Sequence, residues 1–242
     1  MQGNVVWEKS FHQASGKLSF FSAACDDGSD GLYFTGRLRG QVTVGANTYG
    51  TTGAARRVFV GHINTNGNVT WFNYSTQTGG NSRGASIYRR SNGNLLVTGF
   101  YQDSLIFGSQ SCADAGTNGL LNTNMFIAEF SNTGTCNWIN GSNASGKSSN
   151  GGLDICEDGS GNIYASGIIA DTVTFNSQTF IGDTIGNGFL AKFNTNGVLQ
   201  WGKILGTGNT TLNNSITGVH ADAQGNIIIT GSIADGSMLD TM

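Results

Sequence analysis

A chain of 242 residues, 38% of them apolar, is long enough for one large all-β domain or two small ones. Charged residues make up only 11% and the net charge is −3, which excludes bulk attraction to nucleic acid. No run approaches the roughly 20 apolar residues of a membrane-spanning helix, and the opening MQGNVVWEKS lacks the apolar core of a secretory signal.

The chain opens on GNVVW (3–7), which repeats later as GNVTW (67–71) and GVLQW (197–201) and reads as the last strand, D, of a four-strand unit. After the acidic turn DDGSDG (26–31) comes GLYFTG, ending at Gly36, a second strand, B, followed by the short run QVTVG (41–45). The next unit repeats both features as GNLLVTG, ending at Gly99, and SLIFG (104–108). The third shows the unit most plainly. LDICED (153–158) alternates as strand A, GSG makes a turn, and NIYASGII (162–169) is strand B. TVTF (172–175) is a small extra strand inside the B–C connection, GFLAKFN (188–194) is strand C, and the turn NTNG leads into strand D, VLQWGKIL (198–205). Short β-rich runs punctuated by Gly and Asn turns are hairpin signals, and no window carries a 3.6-residue apolar period. A fourth unit begins with GNIIITG, ending at Gly231, and stops in IADGSMLDTM, before its strand C.

Trp7, Trp71, Trp138 and Trp201 beat the same time, 64, 67 and 63 residues apart. A period near 64 residues carrying several hairpins suits propeller blades better than solenoid coils, whose repeats are about 20–30 residues. The expected fold is therefore all-β: a single array over 1–242 of four repeats of four antiparallel strands, the last blade incomplete, and part of a longer propeller. The succession GNIYASG, TVTFNSQTF and GFLAKFNTNGVLQWGK resembles the SBBP-type β-propeller repeat of secreted and cell-surface bacterial proteins. That resemblance implies an extracellular scaffold, adhesion or binding module with no catalytic residue to carry over, and proteins or surface glycans as partners.

Catalytic patterns are sparse. His12, His62 and His220 occupy different registers, and neither a zinc-protease nor a nucleophile-elbow motif is present. No cofactor and no metal is expected. The column Cys25, Tyr88, Cys156, His220 is spread over four units, too far apart for ligands that must meet about 2.0–2.3 Å from one zinc ion. Cys112 and Cys136, both in the second unit, leave a local disulfide open. Asp103, Asp171 and Asp235 recur at one place after strand B and read as turn residues; a propeller-type glycosidase or lyase would need two of them to converge. The Trp residues read as packing between units. Asp26–Asp27, Arg89–Arg90 and Glu157–Asp158 fall in one column, so an Arg pair lies between two acidic pairs, read as exposed ion pairing between neighbouring units worth about 0–1 kcal/mol each.

Arg37, Arg39, Arg56 and Arg57, assigned to the first B–C connection, and Arg83, assigned to the following D–A linker, gather at one face and form the candidate ligand patch, suited to an anionic polymer such as an acidic glycan. The unfinished fourth unit adds a further expectation: an open strand edge able to pair with a neighbouring copy.

Overall fold

The computed structural model describes residues 5, 7–13, 17–77, 79–113, 122–145, 149–206 and 213–234, and contains no helix among them. After β1 (His12–Gln13) come β2 (Phe20–Asp26), β3 (Leu32–Arg39), β4 (Gln41–Val44), β5 (Asn47–Gly50), β6 (Arg56–Ile63) and β7 (Val69–Tyr74). The second unit has β8 (Arg83–Arg89), β9 (Leu95–Tyr101), β10 (Ser104–Phe107), β11 (Gln110–Ala113), β12 (Asn124–Phe130) and β13 (Cys136–Ser145). The third has β14 (Gly151–Glu157), β15 (Ile163–Ile169), β16 (Thr172–Phe175), β17 (Gln178–Ile181), β18 (Asn187–Phe193) and β19 (Leu199–Leu205). Two strands follow, β20 (Ser215–Ala221) and β21 (Ile227–Ser232).

All pairings between these strands are antiparallel. Sheet I runs β2–β3–β6–β7, sheet II contains β8–β9–β12–β13, sheet III runs β14–β15–β18–β19, and β20–β21 form pair IV. None of the sheets closes on itself. The B–C connection holds a whole hairpin, not the single short strand expected: β4–β5, β10–β11 and β16–β17. Each turns on two residues, the first at positive φ: Gly45 (61°), Gly108 (58°) and Asn176 (52°). That is the backbone sense a tight hairpin needs to match strand twist. The third hairpin also pairs through β16 with β13, which extends sheet II to six strands, and the first pairs through β4 with β1.

Asn and Asp earn their frequency at the turns. Asn64, Asp158, Asn194 and Asp222 each accept, through Oδ1, the backbone N–H groups two and four residues ahead, at 2.8–3.1 Å. Short polar side chains thus replace the partners the bent backbone cannot give itself. The TG marker, the Thr–Gly (Ser–Gly in the third unit) that ends at Gly36, Gly99, Gly167 and Gly231, has an equally local cause. Strand A bulges opposite it in every unit, and a Cβ at Gly36, Gly99, Gly167 or Gly231 would collide with the carbonyl oxygen of Phe20, Arg83, Gly151 or Ser215.

Period-two alternation gives each sheet two apolar faces. Tyr33 and Val60 of sheet I pack with Ile87, Leu95 and Val97 of sheet II. Leu96, Met125 and Ile127 on the reverse of sheet II pack with Ile155, Ile163 and Phe189 of sheet III. Tyr164 and Leu190 on the reverse of sheet III pack with Ile216 and Val219 of pair IV. Successive sheets therefore stack face to face, each burying what its neighbour leaves open. Side chains also lock them: Asp154 accepts Ser86 Oγ of sheet II at 2.7 Å with one oxygen and Val219 N–H of pair IV at 2.9 Å with the other.

Three of the four Trp residues reach forward onto the C–D turn of the next sheet. Trp7, Trp71 and Trp138 lie on Gly67, Gly134 and Gly197, where a Cβ would fall 3.1, 2.8 and 2.7 Å from the ring. Trp71 Nε1 donates to Asn132 O at 3.1 Å, so the contact combines apolar area with a polar tether. Among the described residues, Trp201 meets no such turn and is 36% exposed.

Candidate anion-binding site

Arg37 and Arg39 lie in β3 and Arg56 at the start of β6, not in the connection between them; Arg83 is the first residue of β8. Arg39 and Arg56 are directly opposed across the ladder, and Arg37 is two residues along on the same side. The linker before β8 is laid along this corner by two backbone bonds, Arg56 N–H to Gly80 O at 3.3 Å and Ser82 N–H to Arg56 O at 3.0 Å. That brings Arg83 of sheet II against the three arginines of sheet I. Four guanidiniums, all half-buried, share the crevice between the two sheets.

Their surroundings position them and do not neutralise them. Arg37 lies over the Phe20 ring, 4.3 Å from its centroid. Arg83 Nε donates to Ser22 Oγ at 2.9 Å. Nε of Arg37 and of Arg39 is buried without a hydrogen-bond acceptor. Among the described residues, none of the four forms an ion pair; those pairs involve only His62 and Arg90 on the basic side. Burial, then the charges of Arg56, Arg83 and Arg39, lower the pKa of Arg37 from its usual value. An arginine remains charged nonetheless, so the crevice carries repulsion that an anion would relieve.

Arg57 does not belong to this group. One residue along a strand reverses the face, and Arg57 is buried on the opposite side, donating to Ser75 O at 2.9 Å and Thr51 Oγ1 at 3.4 Å. It stands where β12 and β18 have the buried Asn124 and Asn187, so its column is a structural polar plug.

The same corner recurs between sheets II and III and between sheet III and pair IV. There the positions of Arg37, Arg39, Arg56 and Arg83 are held by Phe100, Gln102, Thr123 and Gly151, then by Ile168, Ala170, Gly186 and Ser215. The fold builds this crevice without charge on two occasions.

Other candidates resolve as structure. Arg90 is not an exposed partner, as its column suggested. Its side chain is 4% exposed and binds Glu129 of its own sheet and, at 2.8 Å, Glu157 of the next. It also donates to Thr195 O and Gly161 O, both at 3.1 Å. Burial opposes its charge, but the hydrogen bonds and charges of Glu157 and Glu129 raise its pKa overall. In sheet I the equivalent pair has the opposite order of charge: Asp27 Oδ2 lies 2.8 Å from His62 Nε2, and His62 Nδ1 lies 2.6 Å from Thr70 Oγ1. Burial raises the Asp27 pKa, yet bonds from His62, Ser29 and Gly31 outweigh it and hold the carboxyl at about 2. The Thr hydroxyl in that chain is on an exposed strand surface.

Asp103 and Asp171 sit at positive φ, 66° and 56°, as turn residues do; Asp235 lies outside the described residues. Cys25, Cys112, Cys136 and Cys156 are free thiols, each pushed by burial up to about 12. No cluster able to hold a metal ion occurs among the described residues, and no helix there is long and apolar enough to cross a membrane. Fold and site together define an all-β repeat protein with one asymmetrically charged crevice. No protein-family model matches the chain, and a search of curated proteins finds no match either.

Proposed function

We propose that this chain is a non-enzymatic binding module whose stacked sheets are blades of a β-propeller, and that its arginine crevice takes an anionic polymer such as an acidic glycan. One observation carries the reading: four guanidiniums converge without a carboxylate partner in one crevice, while two equivalent crevices hold neutral residues. The repeated TG marker, the 64-residue beat and the low charge support the secreted, SBBP-like setting. The test is calorimetric titration with polygalacturonate and with neutral dextran. Polygalacturonate binds, the binding weakens with salt, and Arg37→Ala/Arg56→Ala lowers it at least about tenfold, two lost charge-assisted contacts at about 1.4 kcal/mol or more in sum. Equal binding of dextran, or an unchanged affinity in the double variant, refutes it.

A second reading has its own observation. Among the described residues, β21 pairs only with β20, Ile228 is 52% exposed on its outer face, and Trp201 lacks the turn that covers the other three Trp residues. In this reading the edge accepts a C–D hairpin of the same repeat from a neighbouring copy. Light scattering decides it, since a chain that stays monomeric at high concentration has no such partner.

A further inference from the structure

Next to the arginine crevice, at the same end of the stack, a cavity of about 340 Å³ opens between sheets II and III. Arg83 belongs to both: it completes the arginine cluster and lines this cavity. The cavity is at the small end of ligand pockets, which run from about 300 to 1,000 Å³. Phe100 and Ile168 give it apolar walls, and Gly151 leaves room between them.

Two polar atoms make it a site rather than a gap. Asn150 is 2% exposed and its Oδ1 accepts the Ala170 N–H at 2.6 Å, which fixes the amide orientation. Its Nδ2 is then a buried donor, and among the described residues that donor has no partner. Asn81 Oδ1, also lining the cavity, is a buried acceptor with no partner. At the equivalent position in pair IV, Asn214 Nδ2 donates to Gly206 O at 2.6 Å, so the repeat can satisfy this amide when nothing else has to. A buried donor left open costs stability. A hydroxyl has the complement of each atom, a lone pair for Asn150 Nδ2 and a proton for Asn81 Oδ1.

We propose that the cavity binds a pyranose ring whose anionic substituent, a carboxylate or sulfate, reaches the arginines across Arg83. The ring's apolar face lies on Phe100 and a hydroxyl bridges the two asparagines. This rests on the anion reading of the arginine crevice and adds the body of the ligand to its charge.

Titration followed by backbone amide shifts separates the two ideas, with sodium sulfate, methyl glucoside and glucuronate as probes. Glucuronate binds at least about tenfold tighter than either of the others, the size expected of one good ring contact. Phe100→Ala removes that gain and leaves sulfate binding unchanged, because the ring contact carries no charge. Arg56→Ala weakens both anions. If glucuronate binds no tighter than sulfate, or is indifferent to Phe100→Ala, the sugar site is overturned while the anion reading stands. If glucuronate and methyl glucoside bind alike and sulfate does not bind, the anion reading falls and takes this inference with it.

Discussion

Replacing Arg90 with methionine removes the cation from a buried ion cluster that joins sheets II and III. The substitution keeps the length and apolar stem of the side chain, so the loss is electrostatic. It strands Glu129 and Glu157, whose side chains are 8% and 4% exposed. Breaking a buried pair in this way costs about 3–5 kcal/mol, because an uncompensated charge stays in place. The lower end applies here. Glu129 keeps hydrogen bonds from Asn94 at 3.0 Å and Asn137 at 2.8 Å, and Glu157 keeps the Ser91 N–H at 2.7 Å. A loss of about 3 kcal/mol shifts the urea midpoint by ~1 M or more for a slope of ~1–3 kcal/mol/M. Equilibrium unfolding followed by Trp fluorescence measures it, with Trp138 reporting on sheet II. The triple variant Arg90→Met/Glu129→Gln/Glu157→Gln recovers most of the loss, since no charge is then left buried. A single-variant loss below about 1 kcal/mol, the range of exposed pairs, refutes the argument.

Two further outcomes follow from the same structure. The Asp27 carboxyl, held at about 2, favours the folded state at every pH above its unfolded value of about 3.9, and that contribution disappears as pH falls through about 2. Stability measured between pH 5 and 2 therefore falls more steeply in the natural protein than in Asp27→Asn, and parallel curves would show that the carboxyl titrates alike in both states. Gly134→Ala is more destabilising than Gly93→Ala by more than 1 kcal/mol, about the size of one overpacked methyl. Both glycines sit at similar φ, 89° and 85°, but only Gly134 has a ring, Trp71, against the new Cβ. Equal thermal shifts in the two variants would remove the Trp–Gly contact from the account of how sheets join.

Strand positions were legible because their cause is local. The alternation of NIYASGII and the Asn–Gly turns around it are properties of neighbouring residues, and β15 at Ile163–Ile169 falls within the run at 162–169. The second strand of each B–C hairpin is legible too: VGAN, FGSQ and FNSQ place Gly or Asn at the first turn position each time. Arg56 and Arg57 are a different case. Their adjacency suggested a common face, whereas period two in a strand sends them to opposite ones. Burial was not legible at all. The Arg90 column showed charge alternating from unit to unit, but Glu129 comes from strand C, and only stacking reveals that the three side chains meet away from water. The orphaned amide of Asn150 was likewise beyond reach, since its status depends on what fails to lie nearby.

A repeat protein offers its own internal control for separating structure from function. Where units agree, as at Gly36, Gly99, Gly167 and Gly231 or at the Trp–Gly contact made by Trp7, Trp71 and Trp138, the residue answers a demand of the fold that each unit faces afresh. Where one unit departs, the departure has to be balanced somewhere. Arg90 departs from the aspartates of its column, and Glu129 departs with it from the basic residues, His62 and Lys192, of the facing column; the change is paid back inside the molecule, and its role is to join two sheets. Arg37, Arg39, Arg56 and Arg83 depart from Phe, Ile, Gln, Ala, Thr, Gly and Ser with no matching change nearby. They are four of the 12 basic residues in an otherwise weakly charged chain. Among the described residues that crevice has no counter-charge, so on the proposed reading an anion bound there would strengthen the contact between sheets I and II.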